Sequence, residues 1–488
     1  MNNKSKISIV FLLALFLLGS CTTTGKIPEN TPSSGETAAA PEPQETISTA
    51  AAATAEPLQQ KAPPVNPKVD FVQRLKSELA NGSADSALTL FDGLSADLQN
   101  DQGLQILKAS LFVSAGRLDE AAALGKQLEE QDPKNPDILA LNVMIAKAAG
   151  NESEKDSIIK KMIAIDPYNS EANVELGEEQ VLRHNYKLAR KYYQLSLVKD
   201  PSNIRGLFGY GQTSYYLNAL DDARTAFKNI LASDSENALA LCYLGKLEAE
   251  GQNYKKAVEY IEKALQSDPG NYDFYIDLGN YKRYLGKFSD AEAAFTKAIG
   301  IRPDYFLAYT YRGGLYDEQN KFDAAYNDYK KIVETNPGYY FAYELLGILA
   351  WHAEDYAQAV KAFGLAWSVN KKNVSYPLMQ AASYYKTGNN LEAEKVLEDA
   401  MKTLDRSSLD YEMVRLYHDR GGVNAESSVT LKVQNETDNT KRGKMLYYLG
   451  LYWELKGLDS LAEKYYAEVA SLNCPLFFEY RLAEWCVK

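Results

Sequence analysis

The chain has 488 residues, of which 45% are hydrophobic and 24% are charged, so it holds enough apolar material to build folded cores. Its formal net charge is -12, and its lysines are scattered among carboxylates, which disfavours nucleic-acid backbones and anionic membrane surfaces as partners. The 35 tyrosines outnumber the 16 phenylalanines about twofold, which is typical of half-buried rings whose hydroxyls stay in contact with water.

The first twenty residues have the pattern of an export signal. Lys4 and Lys6 precede an apolar run from Ile9 to Leu18, which is shorter than the roughly 20 apolar residues that a spanning helix needs. The following stretch, Leu18-Gly19-Ser20-Cys21, resembles the bacterial lipoprotein processing box. This resemblance implies that residues 1–20 are removed and that Cys21 carries lipid. The alternatives are an ordinary secretory signal cut nearby and an uncleaved anchor.

Residues 21–67 are predicted to form a disordered, lipid-anchored tether. They are rich in Ala, Pro, Thr, Ser and Glu and contain almost no large apolar side chain, so they cannot bury enough surface to fold. Their prolines disfavour helix and keep the chain extended. We therefore expect the tether to hold the folded body away from the membrane.

A 34-residue period dominates residues 68–476. Glycine and alanine allow two antiparallel helices to approach closely, aromatic residues fill the space between hairpins, and proline stops each second helix. The glycines are Gly177, Gly211, Gly245, Gly279, Gly313 and Gly347; the alanines are Ala189, Ala223, Ala257, Ala291, Ala325 and Ala359; the prolines are Pro133, Pro167, Pro201, Pro269, Pro303 and Pro337. The period therefore predicts an all-α array of helix-turn-helix units.

The clearest unit, residues 272–305, resembles the tetratricopeptide repeat (TPR). The family pattern is matched by Leu278, Gly279, Gly286, Phe288, Ala291, Phe295, Ala298 and Pro303. The resemblance implies a right-handed superhelical solenoid of about twelve helical hairpins over residues 68–476, most regular at 170–373 and irregular at 408–442. Residues 477–488 are expected to form a capping helix at the end of the stack. The pair Gly421-Gly422 is either a hinge between two arrays or a lengthened loop.

The resemblance also implies a concave groove, built mainly by the first helix of each hairpin, that suits a partner peptide or helix. Family geometry directs the residues four and five positions after the glycines toward this groove. The expected partner-binding residues are Tyr215, Tyr216, Arg283, Tyr284, Asp317, Glu318, Trp351 and His352. Aromatic residues and arginine are frequent binding anchors. The alternative is that these side chains pack between hairpins or are solvated.

No catalytic or cofactor motif is recognisable in the sequence. His184, His352 and His418 are isolated, and there is no Walker loop, dinucleotide-binding fingerprint or nucleophile elbow. We therefore expect no enzyme activity, no metal and no cofactor. Cys474 and Cys486 flank the final turn, and an oxidising envelope would permit a disulfide between them, although their spacing alone does not show that the side chains meet.

These features predict an interaction protein of the bacterial cell envelope, lipid-anchored to a membrane, that scaffolds or docks other proteins through its groove. The alternative is a ligand-binding partner of an envelope transporter, which would show an enclosed apolar cavity near Phe208, Tyr215 and Tyr216. A third hypothesis is an enzyme whose titratable residues converge only in the fold. No residue pattern specifies the partner, the choice of membrane or the oligomeric state.

Overall fold

The computed structural model describes residues 66–422 and 424–487, and within these residues every regular element is a helix. The predicted signal, Cys21 and the tether up to residue 65 lie outside the described residues. The helices pair into twelve consecutive antiparallel hairpins, as the 34-residue period predicts. The chain divides into two compact units within one helix: unit 1 ends at Asn229 and unit 2 begins at Ile230.

Unit 1 contains five hairpins, each made of a first and a second helix. One further short helix follows the first hairpin. Its helices are α1 (Pro67–Asn81), α2 (Ala84–Thr89, continued by a 3-10 turn at Leu90–Gly93), α3 (Ala96–Gln99), α4 (Gln102–Ser114), α5 (Leu118–Gln131), α6 (Pro136–Ala148), α7 (Glu152–Ile165), α8 (Ser170–Leu182), α9 (Tyr186–Ser196), α10 (Ile204–Tyr216) and α11 (Leu220–Ser233), which crosses the division.

Unit 2 continues the alternation of first and second helices and ends in a single helix. Its helices are α12 (Ala238–Glu250), α13 (Tyr254–Ser267), α14 (Tyr272–Tyr284), α15 (Phe288–Ile301), α16 (Phe306–Glu318), α17 (Phe322–Thr335), α18 (Phe341–His352), α19 (Tyr356–Val369), α20 (Ser375–Lys386), α21 (Asn390–Met401), α22 (Leu409–Asp419), α23 (Ala425–Asn435), α24 (Asn439–Leu455), α25 (Asp459–Ser471) and α26 (Phe478–Cys486).

Asparagine side chains begin five successive first helices. Each accepts a hydrogen bond of 2.8–3.1 Å from a backbone N–H in the first turn, which satisfies one of the donors that a helix start leaves free. The capping residues are Asn135, Asn169, Asn203, Asn237 and Asn271. Four of them stand two residues after a proline of the ladder. Proline and asparagine together therefore end one hairpin and start the next.

The turn inside most hairpins uses one left-handed residue at a constant repeat position. These residues have φ between 55° and 76° and are spaced by 34: Gly116, Gly150, His184, Asn218, Gln252, Gly286, Asn320, Glu354 and Gly388. Only four of the nine are glycine, the residue for which this conformation costs least. The backbone thus keeps the period even where the residue type varies.

In most of the regular hairpins the two helices approach closely because a glycine of the first faces a ring of the second. A Cβ built on Gly279 would lie 2.4 Å from the Phe295 ring, and one built on Gly347 would lie 2.8 Å from the Phe363 ring. Both rings are fully buried, as are the six alanines of the ladder. The predicted close approach is confirmed, with the ring packed against the glycine of its own hairpin.

The irregular segment 408–442 contains a hairpin with a lengthened turn. Arg420, Gly421, Gly422 and Asn424 all have positive φ, and they lie between the two helices of that hairpin, α22 and α23. The division between the two compact units lies elsewhere, at Asn229. The structure therefore places Gly421-Gly422 in the turn of one hairpin.

Replacing Gly279 with alanine should destabilise unit 2 by about 1–3 kcal/mol, because the new methyl group overlaps the Phe295 ring. Gly314→Ala is the matched control: Gly314 also lies within a first helix, but a Cβ there meets nothing within 4 Å. Since alanine is the better helix former, this control should stabilise by about 0.5–1 kcal/mol. Urea unfolding followed by tryptophan fluorescence measures both, since all four tryptophans lie in unit 2. Equal effects of the two substitutions would contradict this account.

Candidate functional site

The eight predicted groove residues occupy one equivalent position in their hairpins. Each pair forms the last two residues of a first helix: α10 ends at Tyr216, α14 at Tyr284, α16 at Glu318 and α18 at His352. They therefore line the turn ends of the first helices rather than the middle of those helices. We call the six that belong to unit 2, from Arg283 to His352, the rim residues.

In unit 1, Tyr215 and Tyr216 pack against neighbouring rings. The ring centroids of Tyr216 and Tyr186 are 5.0 Å apart, those of Tyr215 and Tyr216 are 5.9 Å apart, and half of Tyr216 is exposed. Phe208 packs on Phe227 with centroids 5.8 Å apart. These contacts fit the packing alternative for Tyr215 and leave one face of Tyr216 open.

Two surface cavities of the described part of the chain lie away from these rings. One, of about 420 Å³, is lined by residues between Phe91 and Lys108, and the other, of about 790 Å³, by residues between Pro269 and Ile301. Neither is lined by Phe208, Tyr215 or Tyr216.

The first rim residues of unit 2 form an exposed polar and aromatic surface. Tyr284 is 67% exposed and stacks on Tyr254, with centroids 4.7 Å apart and planes inclined by 16°. Arg283 Nε donates a hydrogen bond of 2.6 Å to Glu318 Oε2 of the next hairpin. This part of the rim offers a large exposed ring beside a paired arginine, a combination common at protein interfaces.

Two other rim residues, Asp317 and His352, are engaged by the C-terminal helix α26. Arg481 donates two hydrogen bonds to the carboxylate of Asp317, Nη1 to Oδ2 at 3.0 Å and Nη2 to Oδ1 at 2.5 Å. The Trp485 ring lies 4.3 Å from the His352 ring and 4.7 Å from the Phe322 ring. In this structure Asp317 and His352 thus hold a helix of their own chain, while their predicted role in binding an external partner stays a prediction. Trp351, also in the rim, packs on Tyr356 at 5.1 Å.

Helix α26 contacts more of unit 2 than the capping helix that the sequence predicts. Phe478, its first residue, stacks on Tyr376 and on Phe363, with centroids 6.4 and 6.0 Å apart. Glu479 is fully buried and accepts a hydrogen bond of 2.8 Å from Tyr448 Oη, and burial raises the pKa of its carboxyl group. The helix therefore contacts α16 to α20 as well as α24, and not only the last hairpin.

A chain of ion pairs links three successive first helices of unit 1, and sequence reasoning missed it. Lys147 of α6 lies 2.9 Å from Glu175 and 3.0 Å from Glu178 of α8, and Arg205 of α10 lies 2.7 and 2.8 Å from the same carboxylates. Arg205 also pairs with Glu171. Glu171 and Arg205 carry opposite charges and lie 34 residues apart, one repeat period, so this spacing in the sequence indicates that the two side chains pair.

Charge pairing outweighs burial in this cluster. Burial alone would lower the pKa of the Arg205 guanidinium, but the carboxylates of Glu171, Glu178 and Glu175 raise it above its ordinary value. Burial alone would raise the pKa of Glu178, but Arg205 and Lys147 hold it below its ordinary value. The shifted pKa values of Arg205 and Glu178 both favour the charged forms, so the ion pairs between them hold α8 and α10 together.

Cys474 and Cys486 are both free, so the disulfide that the sequence permitted is not formed in this fold. Cys474 Sγ lies 3.9 Å from Thr440 Oγ1 near the start of α24. Burial, and then the charge of Glu454 near the end of the same helix, raise the pKa of the Cys486 thiol to about 11. Thr440 and Glu454 are fourteen residues apart, about 21 Å along an α-helix, whereas a disulfide needs Cα atoms within about 7 Å.

Within the described residues, no group of three or more histidine, cysteine, aspartate or glutamate side chains is arranged to hold a metal ion. Residues 66–422 and 424–487 likewise contain no helix with the length and apolar character that crossing a bilayer requires.

Four segments of the chain match a family model of the tetratricopeptide repeat: residues 73–136, 208–272, 276–340 and 315–370. The helical hairpins and the motif residues agree with these matches. The chain therefore contains tetratricopeptide repeats, as its sequence motifs predict.

Several curated proteins are similar to parts of the chain. The DnaJ homolog subfamily C member 7 homolog of Dictyostelium discoideum is 25% identical over 229 residues, which cover 41% of this chain and 42% of that protein. Human tetratricopeptide repeat protein 21B is 23% identical over 198 residues (38% and 15%), and human Superkiller complex protein 3 is 22% identical over 264 residues (46% and 17%). The chain thus spans less than half the length of these relatives.

Solved structures of other proteins resemble parts of the chain. The crystal structure of MamA is 25% identical, with 33% of this chain and 94% of that chain covered and a TM-score of 0.31. The structure of pilF from Pseudomonas aeruginosa is 20% identical, with 44% and 97% covered and a TM-score of 0.38.

Glu178→Gln should reduce the stability of the chain at pH 7 by about 0.5–1 kcal/mol, a range set by the partial exposure of this carboxylate. Because the folded state lowers the pKa of Glu178, its contribution is complete above the ordinary pKa of a glutamate and is lost as pH falls through the lowered value. The difference between wild type and variant should therefore shrink toward zero in acid. Urea unfolding followed by circular dichroism at a series of pH values measures it.

Glu130→Gln is the matched control, since Glu130 is an exposed carboxylate on the second helix α5. It should change stability by less than about 0.5 kcal/mol at any pH. A gap for Glu178→Gln that widens in acid would contradict the ion-pair account.

Proposed function

We propose that this chain is a non-enzymatic protein of the bacterial cell envelope, anchored to a membrane by lipid on Cys21. The first helices of its tetratricopeptide repeats bind other proteins, and the chain thereby scaffolds or docks components of a membrane-associated complex. Its partners are proteins or peptides. The membrane is contacted by the acyl chains, while the acidic body stays away from nucleic acids and anionic surfaces.

The observation that carries the protein-binding part is the docking of α26 on unit 2. The first helices hold this segment through a bidentate ion pair at Asp317, ring contacts at His352 and the fully buried Glu479. A surface that holds one helix by directed polar contacts and ring packing has the chemistry to hold a helix of another protein. Exposed Tyr284 extends the same row of helix ends.

Support for the location comes from the sequence. The apolar run before Leu18-Gly19-Ser20-Cys21 has the length of an export signal, and the proline-rich tether that follows separates Cys21 from the first hairpin. Among the similar proteins, Superkiller complex protein 3 is named for the complex it belongs to, which agrees with a scaffold role.

In-cell crosslinking tests the binding surface. A photoreactive residue in place of Tyr284 should capture a reproducible envelope protein, because this ring is exposed beside the rim contacts. The matched control is Leu391, which is 73% exposed at the start of the second helix α21 and should capture none of that protein. Mass spectrometry identifies the products. Identical capture from both positions, or no capture from Tyr284, would count against binding through the first helices.

The anchor is tested in the same cells by fractionation. Cys21→Ser should move the chain from the membrane to the soluble fraction, whereas Cys486→Ser, which alters a free cysteine at the end of α26, should leave it in the membrane fraction. Membrane retention of both variants would argue against the lipid anchor.

A further inference from the structure

The Asp317 carboxylate stands where a helix disfavours negative charge. Asp317 and Glu318 are the last two residues of α16, and the C-terminal end of a helix carries partial negative charge. Each is offset by an arginine from elsewhere in unit 2: Glu318 by Arg283, and Asp317 by Arg481 of α26. The bidentate geometry at Asp317 is one that arginine makes and lysine does not.

An aromatic slot adjoins this carboxylate. The rings of Phe322 and His352 meet edge to face with centroids 4.9 Å apart, and Trp485 packs against both. The Arg481 guanidinium lies 5.1 Å from the Phe322 centroid and 4.6 Å from the Trp485 centroid. Cation, carboxylate and three rings thus form one continuous contact.

The two side chains of α26 that fill this surface are four residues apart. On a helix, positions i and i+4 lie on the same face, so Arg481 and Trp485 reach Asp317 and the ring slot together. The surface therefore selects for a simple pattern: an arginine followed, one turn later, by an aromatic side chain.

We propose that Asp317, Phe322 and His352 form a helix-docking site for a partner protein's amphipathic helix that carries an arginine and, four residues later, an aromatic residue. In the resting chain α26 occupies this site, and the partner helix displaces it. This inference rests on the proposed protein-binding function and names the chemistry of the partner.

Docking of α26 buries one carboxyl group together with the apolar side chains of Leu482 and Ala483. Glu479 is fully buried, and Tyr448 Oη donates the hydrogen bond that it receives at 2.8 Å. Burying a carboxyl group costs free energy, and this cost destabilises the docked state of α26. A partner helix that has apolar residues at the positions of Leu482 and Ala483 and no buried carboxyl group keeps the apolar contacts and avoids this cost, so it competes with α26 for the site.

The test uses the full chain and a fluorescein-labelled peptide of residues 476–488, with binding followed by fluorescence anisotropy in reducing buffer. The receptor is the chain carrying Arg481→Ala and Trp485→Ala, in which the resident helix has lost its two anchors. This receptor should bind the peptide at least about tenfold more tightly than the wild-type chain does, since each tenfold change corresponds to about 1.4 kcal/mol.

A charge exchange keeps the test decisive if a variant loses structure. Adding Asp317→Arg to the receptor should abolish binding of the peptide, and a peptide with Arg481→Asp should recover it, which an unfolded receptor cannot show. Asp323→Asn, an exposed carboxylate in the following helix, should leave binding unchanged. A peptide with Glu479→Gln should bind at least about threefold more tightly, because it buries no carboxyl group.

Several results would overturn the inference. The first is that the peptide binds the receptor and the wild-type chain with equal affinity. The second is that Asp317→Arg leaves the affinity of the receptor for the peptide unchanged. A concentration-dependent dimer of the wild-type chain that Arg481→Ala abolishes would make a second copy the occupant. These results are distinct from failure of the proposed function, because cellular crosslinking that finds no partner leaves the peptide affinities unchanged.

Discussion

The contact between a glycine in the first helix and a ring in the second is the constraint on which most of the regular hairpins depend; at Gly245 the aliphatic Ile261 takes the place of the ring. At Gly279 and Gly347 the neighbouring ring occupies the space that any side chain would need, so the helix axes approach more closely than larger residues allow. The close approach buries the ring completely, and the ladder alanine beside it is fully buried as well. Because the short interhelix approach recurs at the 34-residue period, successive first helices come to lie side by side.

The first helices make different contacts in each of the two units. In unit 1, charged side chains of the successive first helices α6, α8 and α10 pair with one another, so these side chains stabilise the protein itself. In unit 2, the turn ends of the first helices accept α26 instead. A surface made of helix ends carries both partial charge and exposed rings, and that combination explains how it holds a helix by an arginine and a tryptophan.

The repeat architecture was predictable because its causes are local and recur. A glycine, an alanine and a proline at fixed intervals each report a steric requirement, and the structure confirms hairpins at those intervals, including one in the irregular segment 408–442. The turn conformation was harder to predict from the sequence, because His184, Gln252 and Glu354 adopt a left-handed backbone conformation that is uncommon for their residue types. There the register of the flanking helices decides the conformation.

The candidate site was only partly predictable, for a physical reason. The sequence placed the eight groove residues at equivalent positions, and the structure finds them at the ends of first helices. Which of them are already engaged depends on Arg481, which is 164 residues from Asp317 along the chain. No periodic pattern encodes a contact between a repeat and a segment outside the repeats. The failure of the Cys474–Cys486 pairing has the same origin, because the path of α26 along α24 separates residues that are close in sequence.

Amide hydrogen exchange of the full chain tests most directly the claim that the first helices hold a helix. The account predicts that amides of α26 are protected to a degree comparable with those of α16, and that Asp317→Asn accelerates exchange in α26 while α25 keeps its protection. Exchange of α26 at the rate of a free chain terminus, or protection that Asp317→Asn leaves untouched, would contradict the account.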